Sequence, residues 1–246
     1  RHSSSAASDV YKRQTFATQM KSKLYPWIIF ISLVLVWGSS FIIMKYALMG
    51  FSAVQIGAFR IIFACLFTSI FAFKSIREFR KSDILHLIIV AFLGNSIPYI
   101  LFPLAINHIP SGIVGITNSM TPLFTLVVGI IAYRRKLKPL KFLGVFIGLI
   151  GTLILINPYS SNIFSKSDIL IPFLAVAFLG IFGTSLSMVV FNKLISVTTP
   201  IFAASTTYVI PIVALVWGII DGESLLLNHF LGMIVILLGV RIVNKN

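Results

Sequence analysis

Apolar residues in this chain come in long blocks, without the alternation of a half-buried strand or the stripe of a soluble helix. Eight blocks are close to the roughly 20 residues that a helix needs to cross a hydrocarbon core about 30 Å thick. They run Pro26 to Leu48, Ser52 to Phe73, Ile84 to Ile106, Ser111 to Tyr133, Leu140 to Ile156, Ile169 to Phe191, Pro200 to Ile220 and Leu225 to Val243. The pattern predicts an all-α polytopic membrane protein with about eight transmembrane helices. The first block is too long for the apolar region of a signal peptide. It runs into Trp37-Gly38-Ser39-Ser40 without a cleavage pattern of small residues, so it is expected to stay attached.

Composition agrees. Of the 246 residues 58% are hydrophobic and 11% charged, against about 25% charged in soluble domains. A chain so poor in polar surface is solvated by lipid. The net charge of +14 invites a nucleic-acid reading, but that needs a basic face on a folded soluble domain, and here apolar blocks separate the charges. Cys65 is the single cysteine and lies inside a block, which excludes a disulfide framework and a cysteine-rich metal site.

The first residues stand apart. Residues 1–14 are serine-rich and polar, and Asp9-Val10-Tyr11-Lys12-Arg13-Gln14 resembles the in-frame translation of the adapter end left by transposase-based sequencing. Residues 1–14 are therefore assigned to an adapter artefact and 15–25 to a cytoplasmic N-terminal segment, with the native start at Met20 or upstream. Without the adapter the chain has 17 basic and 5 acidic residues, a net of +12.

Fourteen of those basic residues fall on one side of the alternating spans: Lys21 and Lys23; Lys74, Arg77, Arg80 and Lys81; Arg134, Arg135, Lys136, Lys138 and Lys141; Lys193; Arg241 and Lys245. The opposite loops hold Lys166 alone. The positive-inside rule places both termini in the cytoplasm.

The chain also repeats itself. Ala91-Phe92-Leu93-Gly94 recurs as Ala177-Phe178-Leu179-Gly180. Pro122, Gly129-Ile130-Ile131, Phe142-Leu143-Gly144 and Gly151 are echoed in order by Pro211, Gly218-Ile219-Ile220, Phe230-Leu231-Gly232 and Gly239. Spans 3 to 5 thus correspond to spans 6 to 8. An offset of three spans reverses direction across the membrane, which predicts an inverted-topology repeat with a site near the midplane.

With Trp37-Gly38-Ser39-Ser40-Phe41 and Lys45, Arg60 in span 2, Asn118 to Pro122, and Pro211 to Glu223, the sequence resembles EamA-type members of the drug/metabolite transporter superfamily from about Tyr25 to the C-terminus. That resemblance implies two five-helix inverted repeats, cytoplasmic termini, residence in a bacterial inner (plasma) membrane and export or exchange of small metabolites. Residues 26–156 correspond to the first repeat and 169–246 to a second repeat lacking two helices. Residues 157–168 form an external loop and the expected point of deletion.

Polar groups deep in lipid are functional candidates by default. Arg60 lies about eight residues, or about 12 Å, into span 2; it either faces an anionic solute or ties helix carbonyls together. Lys45 is near the end of span 1, where it either reaches the interface as an anchor or serves the substrate pathway as a ligand. Pro122 and Pro211 each remove a helix hydrogen bond, from the carbonyls of Asn118 and Thr207. Both lie in polar runs, Asn118, Ser119 and Thr121 in one copy and Ser205, Thr206 and Thr207 in the other. These mark either the walls of a pathway or structural kinks with self-capped polar groups. Trp37, Asn95, Tyr99, Ser185 and Tyr208 join the candidates by depth, with packing as the plain alternative.

No span carries Asp or Glu near its middle; Asp168, Asp221 and Glu223 sit at span ends. This argues against a proton-coupled exporter of lipophilic cations and favours anionic or zwitterionic solutes, amino-acid-like ones included. An intramembrane enzyme is disfavoured: His86, His108 and His229 lie at span ends or loops, and neither HExxH nor GxSxG occurs. A lipid-linked precursor flippase and a truncated, inactive transporter stay open. No cofactor or metal is expected, the partners being the lipid bilayer and a small-molecule substrate. Gly144 and Gly148 form a GxxxG that leaves a homodimer as an option without requiring one.

Overall fold

A computed structural model describes residues 3–72, 81–121, 170–223 and 226–244, and within the fifth apolar block 143–144, 146–148, 150–151 and 154. Pro122, Gly129 to Ile131, Phe142, Lys166, Asp168, the 157–168 segment, Lys74, Arg77, Arg80, Lys245 and the basic residues from Arg134 to Lys141 lie outside the described residues.

The described residues form helices and no strand. Helix α1 spans Ser3–Ala47, α2 Ala53–Ala72 and α3 Ile84–Ile106. Helix α4 covers Ser111–Thr117 and tightens into a 3₁₀ turn at Asn118–Met120. Helix α5 spans Leu170–Val197. A short turn, Pro200–Ala204, precedes α6, Thr206–Ile220, and α7 covers Leu227–Asn244. Five stretches are long and apolar enough to cross a membrane: Leu24–Ala47, Ala53–Ile70, Ile84–Ile106, Leu170–Val197 and Phe202–Ile220; Leu227–Gly239 is a shorter apolar one. The expected fourth span is described only as far as Thr121 and the fifth only in part.

Helix directions follow from the contacts. Phe30 meets Phe202, Lys45 meets Asp221 and Phe41 meets Phe102, so α1, α3 and α6 point the same way. Trp37 meets Phe191 while Gly50 abuts Pro172, so α5 runs against α1; Phe63 on Phe173 and Thr68 on Ser185 align α2 with α5. Glu223 at the end of α6 reaches Ser111 at the start of α4. Helices α3 and α5, which carry the two copies of Ala-Phe-Leu-Gly, are therefore antiparallel.

Small residues make this packing possible, since in lipid helices associate through close van der Waals contact rather than through escape from water. A Cβ on Gly38 would lie 2.5 Å from the Val213 Cβ, and one on Gly57 2.6 Å from Ile100. At Gly115 it would overlap the Ala214 Cβ and come within 3.2 Å of the Phe41 ring. Gly144 and Gly148 lie against Gly239, and Gly151 against the Gly232 carbonyl, so the fifth block packs antiparallel on α7 with backbone on backbone. Phe41, Met44, Ile56, Val176, Leu179 and Ile210 fill the centre of the bundle around α1.

One end of the bundle is tied by charge. Helix α6 stops in a Schellman turn: Gly222 takes φ 74°, Glu223 N–H bonds the Gly218 carbonyl and Gly222 N–H bonds that of Ile219. This left-handed turn suits a residue without a Cβ, and it places Asp221 and Glu223 over the ends of α1 and α4. Lys45 Nζ lies 2.6 Å from Asp221 and 3.1 Å from Glu223. Asp221 also accepts from the Tyr46 hydroxyl, and Glu223 accepts from the Ser111 and Gly112 backbone N–H groups and the Ser111 hydroxyl. Lys45 thus joins three helix ends, where the sequence pointed to an interface anchor or a pathway residue.

Two predictions follow from this packing. Gly115→Ala is expected to lower stability in detergent by about 2 kcal/mol, the usual scale of overpacking. Gly94→Ala, with nothing among the described residues within 4 Å, should be near neutral; equal thermal shifts for the two would contradict the packing. Lys45→Met leaves two carboxylates without their cation, and Glu223 is 1% exposed, so a loss of about 2–4 kcal/mol is expected on the scale of broken buried pairs. Lys45→Arg should recover most of it in the same melting assay.

Candidate functional site

Four helices converge beneath the charged end of the bundle on a cavity of about 210 Å³. Trp37, Ser40, Phe41 and Met44 of α1 form one wall and Arg60 of α2 another; Tyr99 and Phe102 of α3, Asn118 and Thr121 at the tight turn after α4, and Thr207 and Ile210 of α6 complete it. Its volume is below the roughly 300–1,000 Å³ of drug-sized ligand pockets.

Arg60 is 6% exposed, and a buried guanidinium must have its hydration replaced by protein groups. Its Nε donates to the Thr184 hydroxyl at 2.7 Å and Nη2 to the Gly183 carbonyl at 3.4 Å. Its plane lies over the Tyr99 ring, 4.1 Å from the centroid, where the ring face favours a cation. Among the described residues Nη1 meets only the Met44 sulfur, 3.9 Å away and a weak acceptor. Among the described residues no carboxylate lies within ion-pair distance of Arg60, the pairs found there being those of Lys45. Asp221 and Glu223 are engaged elsewhere.

The acceptors for Arg60 come from a local widening of α5. Over Ile181–Leu186 the helix takes π geometry, and Ser187 N–H bonds Phe182, five residues back. The Gly183 carbonyl thereby loses that α-helical donor and accepts instead from Trp37 Nε1 at 3.2 Å and from Arg60. Thr184 donates its own hydrogen to the Leu179 carbonyl, also five back, which leaves its lone pairs for Arg60. Helix α3 widens in the same manner over Phe92–Ser96, where Ser96 donates to Ala91 and Asn95 accepts from the Tyr99 hydroxyl at 3.1 Å.

The polar runs behave differently from the expected proline breaks. Helix α6 passes through Pro211 without interruption, and the break falls earlier, at Ser205. There the hydroxyls of Ser205, Thr206 and Thr207 bond carbonyls three residues back, those of Phe202, Ala203 and Ala204. Thr117, Ser119 and Thr121 do the same around the turn after α4. Hydroxyls thus resatisfy the backbone at both breaks, as nonideal helices in lipid require.

Of the residues singled out by sequence, Trp37, Arg60, Tyr99, Asn118, Thr121 and Thr207 line the cavity. Asn95 stands behind Tyr99. Ser119 and Thr206 are buried and self-bonded, Ser185 pairs with Thr68, and Tyr208 packs on the Ile113, Ile116 and Leu215 cluster. Pro211 is buried within α6, Lys45 lies in the charge cluster, and Pro122 is outside the described residues. Ser40, Phe41, Met44, Phe102 and Ile210 were missed, as were Gly183 and Thr184. A hydroxyl within the repeated segment was the one available sign of Thr184.

The cavity's chemistry is one-sided. Ser40, Thr121 and Thr207 donate to carbonyls of their own helices, Trp37 to Gly183 and Tyr99 to Asn95. Arg60 Nη1 and the Asn118 amide remain as donors without a strong acceptor among the described residues. The uncommitted donors of the cavity thus lie at its Arg60 and Asn118 end, and Phe41, Met44, Phe102 and Ile210 form its apolar side.

Comparisons with known proteins lead to one family of transporters. The EamA-like transporter family matches residues 25–157 and again residues 160–245. A protein of Archaeoglobus fulgidus named an uncharacterized transporter is 25% identical over 162 residues, covering 65% of this chain and 58% of that protein. The uncharacterized transporter YdfC of Bacillus subtilis is 25% identical over 140 residues, 56% of this chain and 46% of its own length. The chain spans about half the length of these curated relatives. No solved structure matches. With apolar helices long enough to cross a bilayer and a family match over nearly its whole length, the chain is a multi-pass membrane protein and belongs to the EamA-like transporter family.

Proposed function

We propose that this protein is a secondary transporter that moves small anionic or zwitterionic metabolites, amino-acid-like ones among them, across a bacterial inner membrane by alternating access, in the direction of export. The observation that carries the substrate class is Arg60: a buried guanidinium lining the cavity, with no carboxylate within ion-pair distance among the described residues. A fixed positive charge at that depth is compensated when an anionic group enters and repelled by a lipophilic cation. In the same reading residues 26–156 and 169–246 are two inverted units joined through 157–168, both termini are cytoplasmic, and the cavity between the units is the solute pathway. The separate family matches and the antiparallel α3 and α5 support the two units, and the fourteen-to-one distribution of basic residues supports the orientation.

Counterflow in proteoliposomes tests the solute class. Labelled L-glutamate, L-methionine and succinate are the probes expected to exchange, and tetraphenylphosphonium is not. Arg60→Ala is expected to raise the half-saturation concentration of an accepted probe about tenfold or more, since a charge-assisted hydrogen bond contributes about 1.5–3 kcal/mol. Uptake of the carboxylates unchanged by this substitution, or efficient exchange of the lipophilic cation, would overturn the reading. For the orientation, alkaline phosphatase fused after Asn246 should be inactive in cells and a green fluorescent fusion bright. The reverse pair would place the C-terminus outside.

A further inference from the structure

The widened turns of α3 and α5 both end on Arg60. They lie at the two copies of Ala-Phe-Leu-Gly, the first beginning inside its copy at Phe92 and the second just after its copy at Ile181. From α5, Thr184 takes Arg60 Nε directly. From α3, Asn95 takes the Tyr99 hydroxyl, and the Tyr99 ring covers the guanidinium. Ser40, Thr121 and Thr207 of the cavity wall bond carbonyls three or four residues back on their own helix, whereas Thr184, like Ser96 and Ser187 at the two widened turns, bonds one five back. Only the widened geometry offers that carbonyl, and it is this bond that turns the lone pairs of Thr184 toward Arg60.

We propose that Thr184 and Asn95, one from each widened turn, are positioning residues that hold the Arg60 guanidinium with Nη1 toward the solute, Thr184 by its own hydrogen bond and Asn95 through Tyr99. The proposal rests on Arg60 being the group that meets the solute. Neither residue need touch the solute itself. Thr184 and Asn95 are absent from the cavity lining, and each is joined to Arg60 by a chain of one or two contacts. A guanidinium held on two edges and one face keeps its remaining N–H groups aimed, so that less rotamer freedom is lost when an anion arrives. Placing one support in each repeat also makes the orientation of Arg60 depend on how α3 and α5 stand relative to α2.

The test is counterflow of labelled L-glutamate and L-methionine by Thr184→Val, which keeps the shape and removes the acceptor, and by Thr184→Ser, which keeps the acceptor. Thr184→Val is expected to raise half-saturation about tenfold, with the maximal rate per folded molecule within about twofold. Thr184→Ser should stay within about twofold of the parent on both counts. In an Arg60→Ala background Thr184→Val should add nothing, as two members of one contact behave in a double-mutant cycle. Asn95→Leu and Tyr99→Phe remove the same hydrogen bond and should have equal effects of about threefold. Additive losses for Thr184 and Arg60, a fall in maximal rate without a change in half-saturation, or failure of Thr184→Ser to recover transport would overturn the assignment while leaving Arg60 in the site. If Arg60→Ala changes nothing, or neither probe is taken up, the solute reading and this assignment fall together.

Discussion

A guanidinium two turns inside an apolar helix and 6% exposed must have most of its hydration replaced by protein groups, and most of the polar architecture of this protein can be understood as an answer to that. The α-helix offers Arg60 nothing of its own, because its carbonyls are already engaged. Acceptors must come from a neighbour whose hydrogen-bond ladder is locally rearranged, and the widening of α5 at Ile181–Leu186 supplies both the Gly183 carbonyl and the Thr184 hydroxyl. The widening of α3 sets Asn95 beneath Tyr99, which covers the remaining face. Close approach is a condition for this: a Cβ on Gly183 would lie 3.2 Å from the Ser40 hydroxyl and 3.7 Å from the guanidinium.

The second cation is accommodated by a different physical route. Lys45 has two carboxylates, of which Glu223 in turn takes the backbone N–H groups at the start of α4 and Asp221 the Tyr46 hydroxyl, so charge and helix-end dipole satisfy one another in a closed set. Arg60 is stabilised by neutral dipoles and a ring face, and its charge stays uncompensated by any carboxylate described. The contrast separates a charge that fastens helices together from one held by neutral groups at the wall of a cavity.

Much of the plan was legible in the sequence because lipid enforces simple rules. Blocks of about 20 apolar residues had to be helices, and a charge inside such a block had to have a reason. Arg60, Trp37 and Tyr99 were therefore within reach of depth alone, and Asn118, Thr121 and Thr207 through the polar runs around the two prolines. The widened turns were not, since a shift from four-residue to five-residue hydrogen bonding leaves no consistent residue signature. The pairing of Lys45 with residues 176 and 178 positions away depends on how α1 and α6 dock, which periodicity does not encode. Pro211 does not mark the interruption: the helix runs through it from Thr206 to Ile220, and the irregularity lies at Ser205, where the hydroxyls of Ser205, Thr206 and Thr207 bond the carbonyls of Phe202, Ala203 and Ala204.

The glycine contacts of the fifth block bear on stoichiometry. Gly144 and Gly148 lie against Gly239, and Gly151 against Gly232, so the small-residue face of that helix is occupied by backbone from its own chain. A GxxxG reads as a dimerisation stripe only while that stripe is open to a second molecule. Here the stripe is taken up by contacts within the chain, and it is not open to a second copy.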